Sequence, residues 1–156
     1  MRDNRFKAVH RGGMLTAEQQ RQLARWAALC AERVLTLAGE EAAGQLKEAL
    51  AVIRRWAAGS ATVGGARAAS VAAHALARSL SSPKAVAVAR AAGHAAATAH
   101  MGDHALGAAI YALKALQCAG RSTVAERSWQ NVQLPEQVRE LVVSTRAQKE
   151  RVLKIH

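Results

Sequence analysis

Aromatic side chains are scarce in this sequence: three Trp, one Tyr and one Phe account for 3% of 156 residues. Strands draw on aromatic and β-branched side chains, so this scarcity argues against a sheet. Proline occurs twice, which leaves long stretches free to stay helical. The two cysteines, Cys30 and Cys118, make no disulfide framework. Each sits in an apolar helical pattern, so both are expected as buried, reduced thiols. No apolar run is long enough to span a bilayer. The first residues, "MRDNRFKAVHRGG", lack the apolar segment of a signal peptide. A soluble, cytoplasmic protein is the resulting expectation, with no membrane partner. Acidic residues are half as many as basic ones, 11 against 22, for a formal charge of +11. That balance suits nucleic acid, an acidic protein partner or plain solubility.

Alanine dominates what remains. It has the best helix propensity and lets helices approach closely. The composition and length predict one all-α domain, a compact bundle or stack of five to six helices rich in alanine. Residues 1–15 read as an irregular arm, 16–143 as the helical domain, and 144–156 as a basic C-terminal helix end with a less ordered tip. "TAEQ" gives a capping box with Thr16 as N-cap. Leu23, Trp26, Cys30, Val34 and Leu37 then recur at helical spacing. A second helix carries Leu46, Ala49, Leu50, Ile53 and Ala57 on one face and closes at Gly59. "SATVGG" reads as a linker before a third helix from about Ala66 to Leu80. Ser82 and Pro83 start the next. Gly102 suits a C-cap and Asp103 an N-cap. They form a structural junction between helices at about 83–101 and 104–119. Residues 120–134 read as a loop, and "LPEQVRELVV" starts a last helix. Leu23, Trp26, Cys30, Leu50, Ile53, Trp56 and Leu113 are expected in the core.

"GHAAATAHMGDHALGAA", Gly93 to Ala109, holds three of the six histidines. His94, His100 and His104 are weak metal candidates. His100 and His104 stand four apart, a spacing that shares a helix face, but a break at Gly102 and Asp103 would separate them. His94 lies about 240° around an unbroken helix from His100. Histidines that serve backbone groups at the junction are the expectation, with no metal and no cofactor. No GxSxG, HExxH or phosphate-binding glycine spacing occurs, so no catalytic residue is assigned.

Several stretches together resemble one family. "RGGML", "LARWAALCAERVL", "RRWAAG", "ARAASVAAHALAR", "RAAGHAAATAHMGDHALGAAIYALKA" and "ERSWQNVQLPEQVRELV" occur in the order found in the Imm-5-like group of immunity proteins. The resemblance runs from about Arg11 to Val143. Where such proteins tend to carry a polar amide this chain has His94. Where they tend to carry an acidic, Arg-Pro-containing turn it has "GEEAAGQLKE". The resemblance implies an all-helical, non-enzymatic protein that binds and blocks a bacterial toxin.

Three functions are therefore in view. The first is an immunity-type binding protein with a toxin as partner. Arg54, Arg55, His100 and His104 are candidates for its contact surface, and the +11 charge would suit an acidic target. The second is a basic nucleic-acid-associated helical protein. It could meet phosphates through Arg54, Arg55, Arg67, Arg78, Arg90 and the tail residues Arg146, Lys149, Arg151 and Lys154. The third is a metal-dependent hydrolase built on the histidines.

Overall fold

A computed structural model describes residues 3–156. Seven α-helices make up the described chain: α1 (Ala17–Glu32), α2 (Glu40–Ala57), α3 (Val63–Ser79), α4 (Pro83–Ala97), α5 (His104–Cys118), α6 (Val124–Val132) and α7 (Glu136–Val152). No strand is present among the described residues. The all-α class stands, and the count of five to six helices is corrected to seven.

The helix starts follow local chemistry. Thr16 and Gln19 close the predicted capping box, with the Thr16 hydroxyl accepting from Gln19 N at 3.1 Å and the Gln19 side chain from Thr16 N at 2.9 Å. Pro83 sits in the first turn of α4 behind the Ser82 N-cap. Helix α3 starts earlier than expected. Thr62 caps it, its Oγ1 accepting from Gly65 N at 2.9 Å, and that cap carries the two glycines into the first turn. Helix α1 stops at Glu32, short of the expected Leu37, and a 3₁₀ turn at Leu35–Ala38 takes over. It still buries Val34 and Leu35.

Helix α4 is the central element and contacts α1, α2, α3 and α5. Ala85, Ala87, Ala89, Ala91, Ala92, Ala95 and Ala96 are all buried, so α4 meets neighbours on nearly every side. Around it Leu23, Leu46, Leu50, Ile53, Leu106, Ile110 and Leu113 fill the core. Trp26 and Cys30 are buried as expected, and burial pushes the Cys30 thiol well above its usual pKa. Two expectations fail. Trp56 is only partly buried, and Cys118 is exposed, because the last turn of α5 runs past the core.

Residues 120–134 are not simply a loop, since α6 occupies most of them. Its inward side is polar, which hides it from a search for apolar periodicity. Gln130, fully buried, ties three elements together. Its carbonyl accepts from Trp26 Nε1 at 2.8 Å, its Nε2 donates to the Ala109 carbonyl at 3.1 Å, and its Oε1 accepts from Arg146 Nη2 at 2.7 Å. Arg146 also donates to Asn131 Oδ1 at 2.6 Å and to Glu150 Oε2 at 3.0 Å. Arg127 reaches the other Glu150 oxygen at 2.6 Å. A buried guanidinium is tolerable only when its donors are satisfied, and here α6 and α7 supply the acceptors.

Two substitutions separate the apolar and polar parts of this core. Leu50→Ala should cost about 2–5 kcal/mol in chemical denaturation, as for buried aliphatics. Arg146→Ala should cost about 3–5 kcal/mol, because it leaves Glu150 and Gln130 without their partner. A loss below half a kcal/mol (roughly the level of a surface change) would show that the Arg146 cluster is not formed.

Candidate functional site

The turn between α4 and α5 is where the sequence concentrates its histidines. Helix α4 ends at Ala97 and α5 begins at His104, so Gly102 and Asp103 lie in the connection. Asp103 occupies the expected N-cap position of α5, while the expected capping role of Gly102 is corrected. Gly102 is absent from the glycines with positive φ, so it is no left-handed cap. A Cβ there would come within 2.6 Å of Leu15 Cδ2 and 3.1 Å of the Phe6 carbonyl oxygen. Gly102 is small because the N-terminal arm lies against it. The Asp103 side chain makes no capping hydrogen bond to α5. Side chains from the arm and α1 reach the carbonyls at the end of α4. Gln20 Nε2 donates to the Thr98 and Ala99 carbonyls at 3.0 Å each, and Arg11 Nη1 donates to the His100 carbonyl at 3.2 Å.

The histidines instead form a ladder of rings across three helices. His74 of α3, which the sequence reading did not single out, meets His94 of α4 edge-on with ring centres 5.2 Å apart. His94 stacks on Tyr111 at 5.2 Å and meets His104 at 5.4 Å. His104 in turn stands 5.5 Å from His100. Glycine makes the room. A Cβ on Gly93 would lie 2.6 Å from His74 Nε2, and one on Gly107 would lie 2.7 Å from His94 Nδ1. Each ring sits in a notch that alanine would close.

Proton positions follow from the contacts. Arg90 Nη1 lies 2.7 Å from His74 Nδ1. A guanidinium only donates, so His74 Nδ1 accepts and the ring is neutral. Burial first, then Arg90, lowers the His74 pKa. His94 Nδ1 and His104 Nδ1 are 3.2 Å apart, so one of them must present a lone pair. Burial, reinforced by His104, His74 and Arg90, lowers the His94 pKa to about 3. Of the weak metal candidates, His94 and His104 thus touch through ring nitrogens and His100 adjoins His104. No group of three His, Cys, Asp or Glu positioned to hold a metal exists among the described residues.

Past His100 the surface opens into a hollow of about 440 Å³. Arg11, Arg21, Arg67, His10 and His100 line it, and Trp56 lies among them. Four separate parts of the chain build this place: the arm, the start of α1, the end of α2 with the start of α3, and the end of α4. The sequence offers no local pattern for such a site. Trp56, whose size suggests core, is its most telling member.

The other named residues scatter. Arg54 pairs with Glu32 at 2.7 Å, while Arg55 is exposed beside Trp56. His104 belongs to the ladder and does not line the hollow. Of the phosphate candidates, Arg146 is corrected outright, since it is 3% exposed and enclosed by Gln130, Asn131 and Glu150. Arg90 is engaged by His74.

Two measurements check the ladder. Gly107→Ala should cost about 1–3 kcal/mol, the usual penalty for overpacking, and much less in a His94→Ala background. Equal losses in both backgrounds would mean that the His94 ring does not fill that notch. The second is pH dependence. A His94 pKa held below its unfolded value means the unfolded chain binds the extra proton. Stability is therefore full above pH ~6.5 and falls as pH drops toward 3, at up to about 1.4 kcal/mol per pH unit. His94→Gln should flatten that part of the stability–pH curve, and an unchanged curve would contradict the buried neutral ring.

The chain matches the family described as "Imm-5 like putative immunity protein" over residues 13–137. No curated protein and no solved structure matches it.

Proposed function

The chain belongs to the Imm-5 like putative immunity protein family, and from that premise we propose that it is a non-enzymatic binding protein that neutralises a bacterial toxin by direct contact. Trp56 is the observation that carries this reading. It is a large aromatic held partly exposed in a basic hollow. Tryptophan and arginine are the residues most enriched at the energetic centres of protein interfaces. The scaffold around it is rigid, with α2 packed on α1 and α3 and all three packed on α4. A pre-organised surface loses little conformational freedom on binding. Inhibition by contact requires such a surface and no bond-making chemistry.

The proposed binding domain is 16–143, with 144–156 as its basic C-terminal helix end. The proposed compartment is the cytoplasm, where a toxin from the same or a neighbouring cell would be met. No described helix is long and apolar enough to cross a membrane.

The test is co-expression with the toxin, sought among the genes beside this one. Growth should be restored, and the two proteins should co-purify as a stoichiometric complex. Trp56→Ala should weaken the complex by about 2 kcal/mol or more, the size of a hot-spot truncation. Unrestored growth would sink the reading. Purified protein that instead carries nucleic acid, released steeply with salt, would favour the nucleic-acid alternative.

A further inference from the structure

We infer that the hollow at Trp56 seats a carboxylate-bearing protein segment: an apolar side chain against the indole, flanked by Asp or Glu side chains held by Arg11, Arg21 and Arg67. The inference rests on reading the chain as a protein-binding immunity factor, and it adds the chemistry of the partner.

Charge is the first support. Three guanidinium groups and two imidazoles line the hollow, and no acidic residue does. Arginine matches a carboxylate with two parallel N–H donors, and its planar head tolerates partial burial better than an ammonium. Arg11 is already oriented, with Nη1 donating to the His100 carbonyl. That bond uses one of its five N–H donors. Arg67 is exposed. Among the described residues Arg21 pairs with Glu18, at 3.5 Å with both side chains about half exposed, and a solvated pair at that distance exchanges readily for an incoming carboxylate.

The apolar lining supplies the second support. The buried Ala8 and Ala99 and the exposed Ala17 and Val63 accompany Trp56, so apolar surface lies among the charges. That arrangement suits an amphipathic peptide segment. A polynucleotide needs a continuous basic track for its phosphates. Here the surroundings interrupt one: Glu18 stands between Arg21 and Arg25, 3.0 Å from the latter, and Glu32 beside Arg54. A long phosphate backbone would run past both Glu18 and Glu32, whereas a short segment seated in the hollow meets Glu18 alone and takes Arg21 from it.

The experiment uses the full chain, labelled with ¹⁵N, and follows the three indole N–H resonances, with that of Trp56 assigned by Trp56→Phe. The probe is a short peptide of glutamates around one phenylalanine. A glutamine version of the peptide and a short oligothymidylate serve as controls. The acidic peptide should shift the Trp56 resonance and leave that of Trp26, which is bonded to the Gln130 carbonyl, in place. Arg21→Glu with Arg67→Glu should weaken binding about ten-fold or more. Both residues lie on the surface, and circular dichroism of the double variant checks that the fold is intact. Equal binding of the glutamine peptide, binding unchanged by the charge reversal, or tighter binding of oligothymidylate at Trp56 would each overturn the inference. Protection against the toxin is read separately. Protection without acidic-peptide binding dismisses this seat and leaves the immunity reading. Peptide held at Trp56 without protection dismisses that reading and leaves the seat.

Discussion

The closeness with which α3 and α5 approach α4 governs the rest of this molecule. Helix separation is set by the side chains at the contact, and α4 presents mainly alanine. Small side chains bury little area each, so a helix of this composition must be enclosed on several sides to gain enough. Four helices surround it. Where the contact needs more than alanine can fill, a glycine opens a notch and an imidazole from the next helix enters it. His74 over Gly93 and His94 over Gly107 are two such steps. The rings are thereby kept neutral by burial, and the ladder becomes part of the packing.

A second constraint acts at the other side of the bundle. The α6–α7 corner is held by a buried arginine, and Arg146 can be there only because Gln130, Asn131 and Glu150 face it together. Such a cluster contributes little net stability compared with an apolar core of equal volume. It does require a specific register of α6 against α7. Trp26 reads that register from α1 through its bond to the Gln130 carbonyl. One face of α1 is thus fixed by polar geometry, and its N-terminal end is fixed by Gln20 on the carbonyls of Thr98 and Ala99. Gln20 also lines the hollow at Trp56, beside the arm residues Ala8, His10 and Arg11.

What could be read from the sequence follows from this division. Signals confined to a few residues were legible: the Thr16 capping box, the Ser82–Pro83 start, the apolar stripe of α2 and the interruption near Gly102. Features set by distant partners were not. Helix α6 has exposed Val124 and Val132 and a buried Gln130, the reverse of an apolar pattern. The tail reads as basic because sequence cannot show that Arg146 and Glu150 satisfy each other inside. Gly102 looks like a cap, yet it is a point of contact with Leu15 and Phe6. The histidine cluster was visible as a cluster, but His74 and Tyr111 join it only through the fold. Trp56 looked like core by size, and its exposure in a basic hollow appears only when the arm, α1, α3 and α4 converge.

A rigid basic surface centred on Trp56 is where we propose that this family member meets its partner. Amide hydrogen exchange of the chain, alone and in complex with a toxin that it neutralises, tests that placement most directly. New protection should concentrate in the arm around Arg11, the first turn of α1, and the segment from Trp56 through Arg67, with α6 and α7 unchanged. Protection confined to α6 and α7, with the Trp56 region exchanging as in the free protein, would contradict it.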